Sequence, residues 1–196
     1  FSGSFNGNGH TISGIRLNNS GSERGLFRYV KPGAEIKDLK VSGEFTPSGS
    51  ANNIGGIAGK NEGKITNCEV EGTIRGKSFI GGIAGTNAAT GVISNSSIKG
   101  NVFGEHYVGG IVGQNYGTII SCTNEGGVNT DAATIKPSLE DIDFENLIST
   151  QNTIEITDVG GIAGISSGIL QSCENSGIVG HEHIGYNVGG IAGRQS

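Results

Sequence analysis

Histidine and carboxylate side chains are the groups in this chain with the clearest capacity for chemistry. Glu105 and His106 lie in one stretch, and His181, Glu182 and His183 lie in another. Imidazole nitrogen and carboxylate oxygen are common metal ligands, so these side chains could hold an ion if the fold brought both stretches together. We favour solvated loop residues instead, and therefore predict neither a metal nor a cofactor.

Catalytic motifs in the sequence are incomplete. A zinc peptidase places two histidines one helical turn apart in HExxH, but the nearest string, residues 181–185, ends in glycine. The charges Glu69, Glu71 and Lys99 stand singly and suit solubility. The acids within residues 138–147 suit the first turn of a short helix, where the helix dipole favours negative charge. We therefore predict no catalytic residue and do not expect this chain to be an enzyme.

The three cysteines fall at one position when the repeats of the chain are aligned. Cys68, Cys122 and Cys173 then form a column with Ser96. Free cysteine packs as a small apolar side chain, so we favour a buried column of small residues. A disulfide between Cys122 and Cys173 is the alternative, because residues on adjacent parallel strands lie about 4.8 Å apart, within disulfide range.

An internal repeat must position all of these side chains. The phrase GGIAG or GGIVG begins at five glycines: Gly55, Gly81, Gly109, Gly160 and Gly189. The intervals are 26, 28, 51 and 29 residues. The long interval corresponds to one repeat of about 27 residues plus an insertion at about residues 129–157.

Each repeat divides into three short pieces rich in β-branched residues. The first is centred on the isoleucine of GGIAG. The second runs from an isoleucine to a small residue, as in Ile65 to Cys68 or Ile169 to Cys173, and the third carries pairs such as Val70 with Ile74, or Ile178. The pieces are too short for helices, so we predict strands. In a straight strand, every second side chain faces the core. This alternation is broken near Asn67, which indicates a bend.

Three strands and three bends make one closed coil, and stacked coils make a right-handed parallel β-helix. We predict one all-β domain over residues 1–196, with a loop or helix inserted at about 129–157. Because a new GGIAG begins at Gly189, we expect the repeat to belong to a longer chain.

Composition excludes several classes of protein. The net charge is −5 with no basic cluster, which argues against nucleic-acid binding. No apolar run approaches the roughly 18 residues of a membrane span, so we predict no membrane insertion. With 37 glycines but only 3 prolines, the chain does not fit collagen. None of these features sets an oligomeric state.

The pattern GGIAG-x-N-x-G-x-I-x-N-C-x-x-x-G-x-I resembles the GLUG-motif repeats of bacterial surface proteins. Phe1 to Leu17 is similar to the segment that commonly precedes them. The resemblance covers most of the chain outside about residues 129–157. It implies a parallel β-helix and a secreted or cell-surface location. Similar repeats occur in adhesin-like proteins and in the non-catalytic region of IgA-cleaving metallopeptidases, and the resemblance supplies no catalytic residues.

Variation between the repeats is concentrated in the stretch that precedes each GGIAG. Repeat proteins keep a constant scaffold and vary the loops along a binding edge. We therefore expect a stalk or adhesin-type scaffold whose edge, including the insertion, contacts a host protein or glycan through residues such as Tyr107 and Tyr186. The accessory region of a secreted metallopeptidase is the first alternative, and a carbohydrate-active β-helix enzyme is a more distant one.

Overall fold

All regular elements that the structure describes are β-strands, and they form three parallel sheets. The computed structural model describes residues 1–130, 157–180 and 186–196. Sheet A contains β1 (Ser4–Asn6), β2 (Thr11–Leu17), β4 (Glu35–Phe45), β7 (Lys64–Arg75), β10 (Val92–Ser94), β11 (Ser97–Ile98), β12 (Asn101–Phe103), β15 (Thr118–Ile120), β16 (Thr123–Asn124), β19 (Ile169–Gln171) and β20 (Glu174–Asn175). Sheet B contains β5 (Asn52–Ile54), β8 (Ser78–Gly81), β13 (His106–Gly109), β17 (Thr157–Gly160) and β21 (Tyr186–Gly189). Sheet C contains β3 (Phe27–Val30), β6 (Ala58–Asn61), β9 (Ala84–Asn87), β14 (Val112–Asn115), β18 (Ala163–Ser166) and β22 (Ala192–Gln195).

Equivalent residues of successive repeats pair in register. Ile65 pairs with Ile93, and Ile93 pairs with Ile119. In sheet B, Ile80 pairs with Val108, which in turn pairs with Val159 across the insertion. Each repeat is therefore one coil stacked on the last, which confirms the predicted parallel β-helix. The predicted insertion lies almost wholly outside the described residues. The residues that the structure does describe include no helix long and apolar enough to cross a membrane.

The predicted bend near Asn67 is confirmed, because the residue has φ 52°. The equivalent residues of four other coils share this left-handed backbone: Asp38, Asn95, Ser121 and Ser172. In the long strands β4 and β7 the turn lies within the strand, whereas in later coils it separates two shorter strands. The second and third predicted pieces are therefore parts of one bent sheet A.

The GGIAG piece, expected as one strand, instead divides between sheets B and C. In the repeat that starts at Gly109, β13 ends on that residue and β14 begins at Val112. The close approach of the preceding coil explains the last glycine of the phrase. A Cβ built on Gly113 would lie 2.3 Å from the carbonyl carbon of Phe79, so no larger residue fits without displacing backbone.

The core is one side chain deep and consists mainly of isoleucine. The isoleucines of the GGIAG phrases are fully buried in four coils: Ile57, Ile83, Ile111 and Ile162. Two isoleucines that the repeat alignment matched with buried residues of other coils are exposed instead: Ile169 is 56% exposed and Ile178 is 62% exposed. Leu170 instead pairs with Ile119, and Val179 forms a bridge with Val128. Leu170 stands three residues before Cys173, the same spacing that joins Ile65 to Cys68.

A ladder of buried amides runs through the corner between sheets C and A. The Asn61 amide donates to Asn87 Oδ1 at 2.9 Å, and the Asn87 amide donates to Asn115 Oδ1 at 2.9 Å. The Asn115 amide continues the ladder to Ser166 Oγ at 3.2 Å. The same side chains bond the backbone of the adjoining turn, as when Gly117 N donates to Asn115 Oδ1 at 3.2 Å.

Replacing Asn87 with alanine should lower the free energy of unfolding by about 3 kcal/mol. Asn87 accepts from Asn61 and donates to Asn115 and to the Gly91 carbonyl, so its removal leaves several buried polar groups without partners, at about 1–3 kcal/mol each. Urea unfolding followed by circular dichroism measures this change. The exposed Asn19→Ala is the control, for which we expect a change below about 0.5 kcal/mol. Equal effects of the two substitutions would contradict a stabilising ladder.

Candidate functional site

The stretches that vary between repeats lead into sheet B, and their ends lie one above another. Asn52 pairs with Ser78, and Ser78 pairs with His106. The same column continues through Thr157 to Tyr186. The residues that follow each member of this column form a second line, which we call the variable edge: Asn53, Phe79, Tyr107, Asp158 and Asn187.

Every residue of the variable edge has a left-handed backbone. The φ angles are between 55° and 61°. Asparagine and aspartate tolerate this conformation, whereas for a bulky side chain it is an outlier that costs roughly 1–2 kcal/mol. Phe79 and Tyr107 therefore occupy positions that the local backbone alone would assign to asparagine, aspartate or glycine.

The rings of Phe79 and Tyr107 stack on each other across two coils. Their centroids are 4.8 Å apart and the rings are within 5° of parallel. The guanidinium of Arg194 lies 5.7 Å from the centre of the Tyr107 ring. Both aromatic side chains remain half-exposed. The edge thus carries a fixed, partly solvent-facing aromatic pair that is held in a strained backbone.

Beyond the aromatic pair, the variable edge becomes polar. Asp158 has a buried carboxylate that accepts from the Asn187 amide at 2.8 Å and pairs with Arg194 at 3.5 Å. At the other end, the Thr86 hydroxyl donates to Asn53 Oδ1 at 2.8 Å. These contacts join the edge to the neighbouring strands of sheet C and fix the side chains along it.

Three of the residues expected to form a site lie together on one coil. Glu105 is exposed and pairs with Lys77 at 3.6 Å, an interaction that solvent weakens. His106 is half-buried, and its ring lies 6.3 Å from that of Tyr107. Within the parts of the chain that the structure describes, no group of three or more His, Cys, Asp or Glu side chains could hold a metal.

The other expected site residues are not brought to this coil. Tyr186 stands in the register column of His106 but two coils away, with Thr157 between them. His181, Glu182 and His183 lie outside the described residues, so their assignment as solvated loop residues stays a prediction.

Glu69 and Lys99 were expected to stand singly, but the structure pairs them. Lys99 Nζ lies 2.9 Å from one oxygen of Glu69, and Lys40 Nζ lies 3.6 Å from the other. The hydrogen bond from Lys99 is the main cause that lowers the pKa of Glu69 below its usual range. The expectation of single charges was wrong because in-register pairing places Lys40, Glu69 and Lys99 side by side on three successive coils, although they are distant in sequence.

The cysteine column is confirmed as a column of free thiols. Cys68 and Cys122 are buried, and Cys173 is partly exposed. The Cys68 thiol donates to the Thr66 carbonyl at 3.4 Å, and Cys122 makes the same bond to Ile120. Burial raises the pKa of Cys68 to about 11 and that of Cys122 to about 12. Both thiols are therefore protonated at neutral pH and are unsuited to nucleophilic chemistry.

Two further features escaped the sequence analysis. The buried asparagine ladder was missed, although the asparagine that follows each GGIAG recurs in three repeats. Tyr116 was also not singled out, although it is 49% exposed at the corner between sheets C and A.

Comparison with known proteins identifies the repeat. The model of the GLUG motif matches residues 50–75 and 104–129, so the chain contains GLUG-motif repeats. It is 34% identical over 93 residues to halomucin of Haloquadratum walsbyi, a match that covers 47% of this chain and 1% of that protein. It is also 34% identical over 73 residues to a putative Gly-rich membrane protein of Evansella cellulosilytica, covering 36% of this chain and 8% of that protein. No solved structure matches the chain.

The thiols should differ sharply in reactivity. At pH 8 we expect one thiol of the native chain, Cys173, to react promptly with Ellman's reagent, whereas Cys68 and Cys122 react only on unfolding. Cys173→Ser should remove the prompt phase. Prompt reaction of two or more thiols in the native chain would contradict a buried column.

The raised pKa values of the buried thiols also predict how stability depends on pH. The unfolded thiols ionise near pH 9 and the native thiols only near pH 11 to 12. The stabilisation from these groups is therefore full below pH 9 and is lost as the pH rises through this window. Comparing urea unfolding of the chain with that of its Cys68→Ser/Cys122→Ser variant between pH 8 and 10 measures the contribution. A pH dependence that is the same in both proteins would contradict it.

Proposed function

We propose that this chain is a non-catalytic repeat module of a surface-associated protein, and that its scaffold presents the variable edge to a binding partner. The GLUG motifs and the names of the two relatives, a halomucin and a Gly-rich membrane protein, support a place at the cell surface. The absence of an HExxH motif from the sequence supports a role without peptidase chemistry.

The contrast between the constant core and the variable edge supports a binding role. In sheet C, one register column carries a buried aliphatic residue on four successive coils: Ala58, Ala84, Val112 and Ala163. Along the edge, the side chain changes from amide to aromatic to carboxylate at a constant backbone conformation. Such a scaffold displays different chemistry on each coil while the backbone of the coils stays the same.

The strained aromatic pair is the observation that carries this proposal. Phe79 and Tyr107 have φ angles of 60° and 55°, where asparagine would fit at lower cost. Their mutual stacking contributes about 0.5–1.5 kcal/mol beyond the apolar area that the rings bury. The left-handed backbone itself gives no reason for aromatic residues at these positions, whereas contact with a partner does.

The partner expected at this edge is a protein or glycan on another cell or in the surface layer. The aromatic pair supplies rigid apolar contact area, and Glu105, Lys77 and Arg194 supply charge around it. Rigid aromatic anchors within a polar rim are typical of binding hot spots.

The double substitution Phe79→Asn/Tyr107→Asn tests the role of the edge. Asparagine occupies the same column at Asn53 and Asn187, so the variant should keep the fold. The labelled chain is screened against printed glycans and immobilised surface-layer proteins, and we expect the double variant to weaken the strongest signal at least tenfold, or by about 1.4 kcal/mol.

Tyr29→Asn provides the matched control, because Tyr29 belongs to sheet C and lies away from the variable edge. It should leave the signal unchanged. An unchanged signal for the double variant, or an equal loss for the control, would overturn the proposed role of the edge.

A further inference from the structure

A second surface of the chain, away from the variable edge, carries a well-positioned tyrosine. Tyr116 lies on the turn that leads from β14 to β15, at the corner between sheets C and A. Its backbone amide donates to the Asn87 carbonyl at 2.8 Å, which holds the residue to the coil below. Its hydroxyl accepts from the Gln114 side chain at 2.7 Å. The residue is therefore fixed at its backbone and at the far end of its ring.

The neighbours of Tyr116 in the stack have small side chains. Ala88 N donates to the Asn61 carbonyl and Ser167 N donates to the Asn115 carbonyl, the same bond that Tyr116 makes, so these residues hold the equivalent corner positions. Neither Ala88 nor Ser167 is large enough to cover a phenol ring. Tyr116 is 49% exposed, in keeping with these small neighbours.

Most other aromatic rings that the structure describes on the surface are already covered. Phe79 stacks on Tyr107, the Lys60 ammonium lies 5.1 Å from the centre of the Tyr29 ring, and the Phe1 ring packs on Phe27. Across residues 1–130, 157–180 and 186–196, no ring or cation contact is found for Tyr116. Its ring is thus held in place, with neither an aromatic ring nor a cation stacked on it and about half of the residue exposed.

The corner residues on the two coils next to Tyr116, Ala88 and Ser167, are uncharged, and the first charged residue at the equivalent position, Glu62, lies two coils away. Gln114 presents an amide beside it, and the Ser167 hydroxyl pairs with that of Ser196 at 2.7 Å. Ile169, whose amide donates to the Gly117 carbonyl, adds an apolar side chain that is 56% exposed. The corner therefore combines one open aromatic face with an apolar side chain, hydroxyls and an amide.

We propose that this corner binds a pyranose unit of a neutral polysaccharide, with the sugar stacked on the Tyr116 ring. The face of an aromatic ring carries partial negative charge, and the axial C–H groups on one face of a pyranose carry partial positive charge, so the two attract. The sugar hydroxyls meet Ser167 and Gln114. An uncharged corner gives an acidic sugar no counter-charge, which favours a neutral one.

The size of the corner favours a sugar over a protein. Specific protein interfaces bury about 800 Å² on each partner and require a cluster of buried anchors. One tyrosine and one isoleucine flanked by alanine and serine provide much less apolar surface, but enough for a single ring. This inference is independent of the variable edge, because it uses a different turn of the coil and different residues.

Affinity electrophoresis in native gels tests the proposal. The gels contain dextran, galactomannan, soluble β-glucan or, as the protein alternative, gelatin. We expect at least one neutral polysaccharide to retard the native chain. Tyr116→Ala should raise the apparent dissociation constant for that polysaccharide about tenfold. Tyr116→Phe keeps the ring and should keep most of the affinity. Gln114→Ala should have an intermediate effect because it frees the ring.

Tyr29→Ala is the matched control, since Lys60 already covers that ring, and it should leave retardation unchanged. Circular dichroism verifies that every variant is folded. The proposal is overturned if no polysaccharide retards the native chain, if Tyr116→Ala behaves as native, or if gelatin alone gives retardation that depends on Tyr116. Loss of retardation in Tyr116→Ala but not in Phe79→Asn/Tyr107→Asn would separate this site from the variable edge.

Discussion

The close approach of successive coils is the constraint on which the rest of this structure depends. Parallel strands in register stand about 4.8 Å apart, and at the bend between sheets B and C the backbones leave no room for a side chain. At Gly113, a single added carbon would lie 2.3 Å from the coil below. The repeated glycines are therefore a steric requirement of stacking, and they explain why a chain with 37 glycines is ordered over its described coils.

The close packing of successive coils has a second consequence: polar groups can be buried when they recur in register. An isolated buried amide is costly, but an asparagine at the same place in each coil finds its partner one coil away. Asn61, Asn87 and Asn115 form such a ladder, and Asn124 bonds to Asn175 in the same manner at 2.7 Å. The polar ladders and the isoleucine columns fix the same register. This leaves the outward-facing residues free to differ between coils, as they do along the variable edge.

Much of the fold could be predicted because register repeats the same local pattern. The recurrence of GGIAG located the coils, and the parity change at Asn67 located a bend with φ 52°. Residue type misleads where it conflicts with the spacing of the repeat. Ile169 matched the isoleucines of the other repeats by residue type, but the three-residue spacing to Cys173 selects Leu170. The aromatic stack and the Lys40–Glu69–Lys99 ion pairs could not be seen, because they join residues on different coils whose side-chain directions depend on the bends. The open ring of Tyr116 was missed for the same reason, since it depends on small neighbours one coil away.

Each repeat is an interchangeable coil that in-register pairing holds to its neighbours. Deleting residues 81–108 removes one complete coil and joins Ile80 to Gly109. Ile80 holds the same register position as Val108, which precedes Gly109 in the intact chain, so the new junction keeps the register. Thermal unfolding of this variant, followed by circular dichroism in the far ultraviolet, is the most direct test. We predict a β-rich spectrum like that of the parent and a cooperative transition at a somewhat lower temperature, because one coil interface is lost. A disordered spectrum or the absence of a cooperative transition would contradict the account.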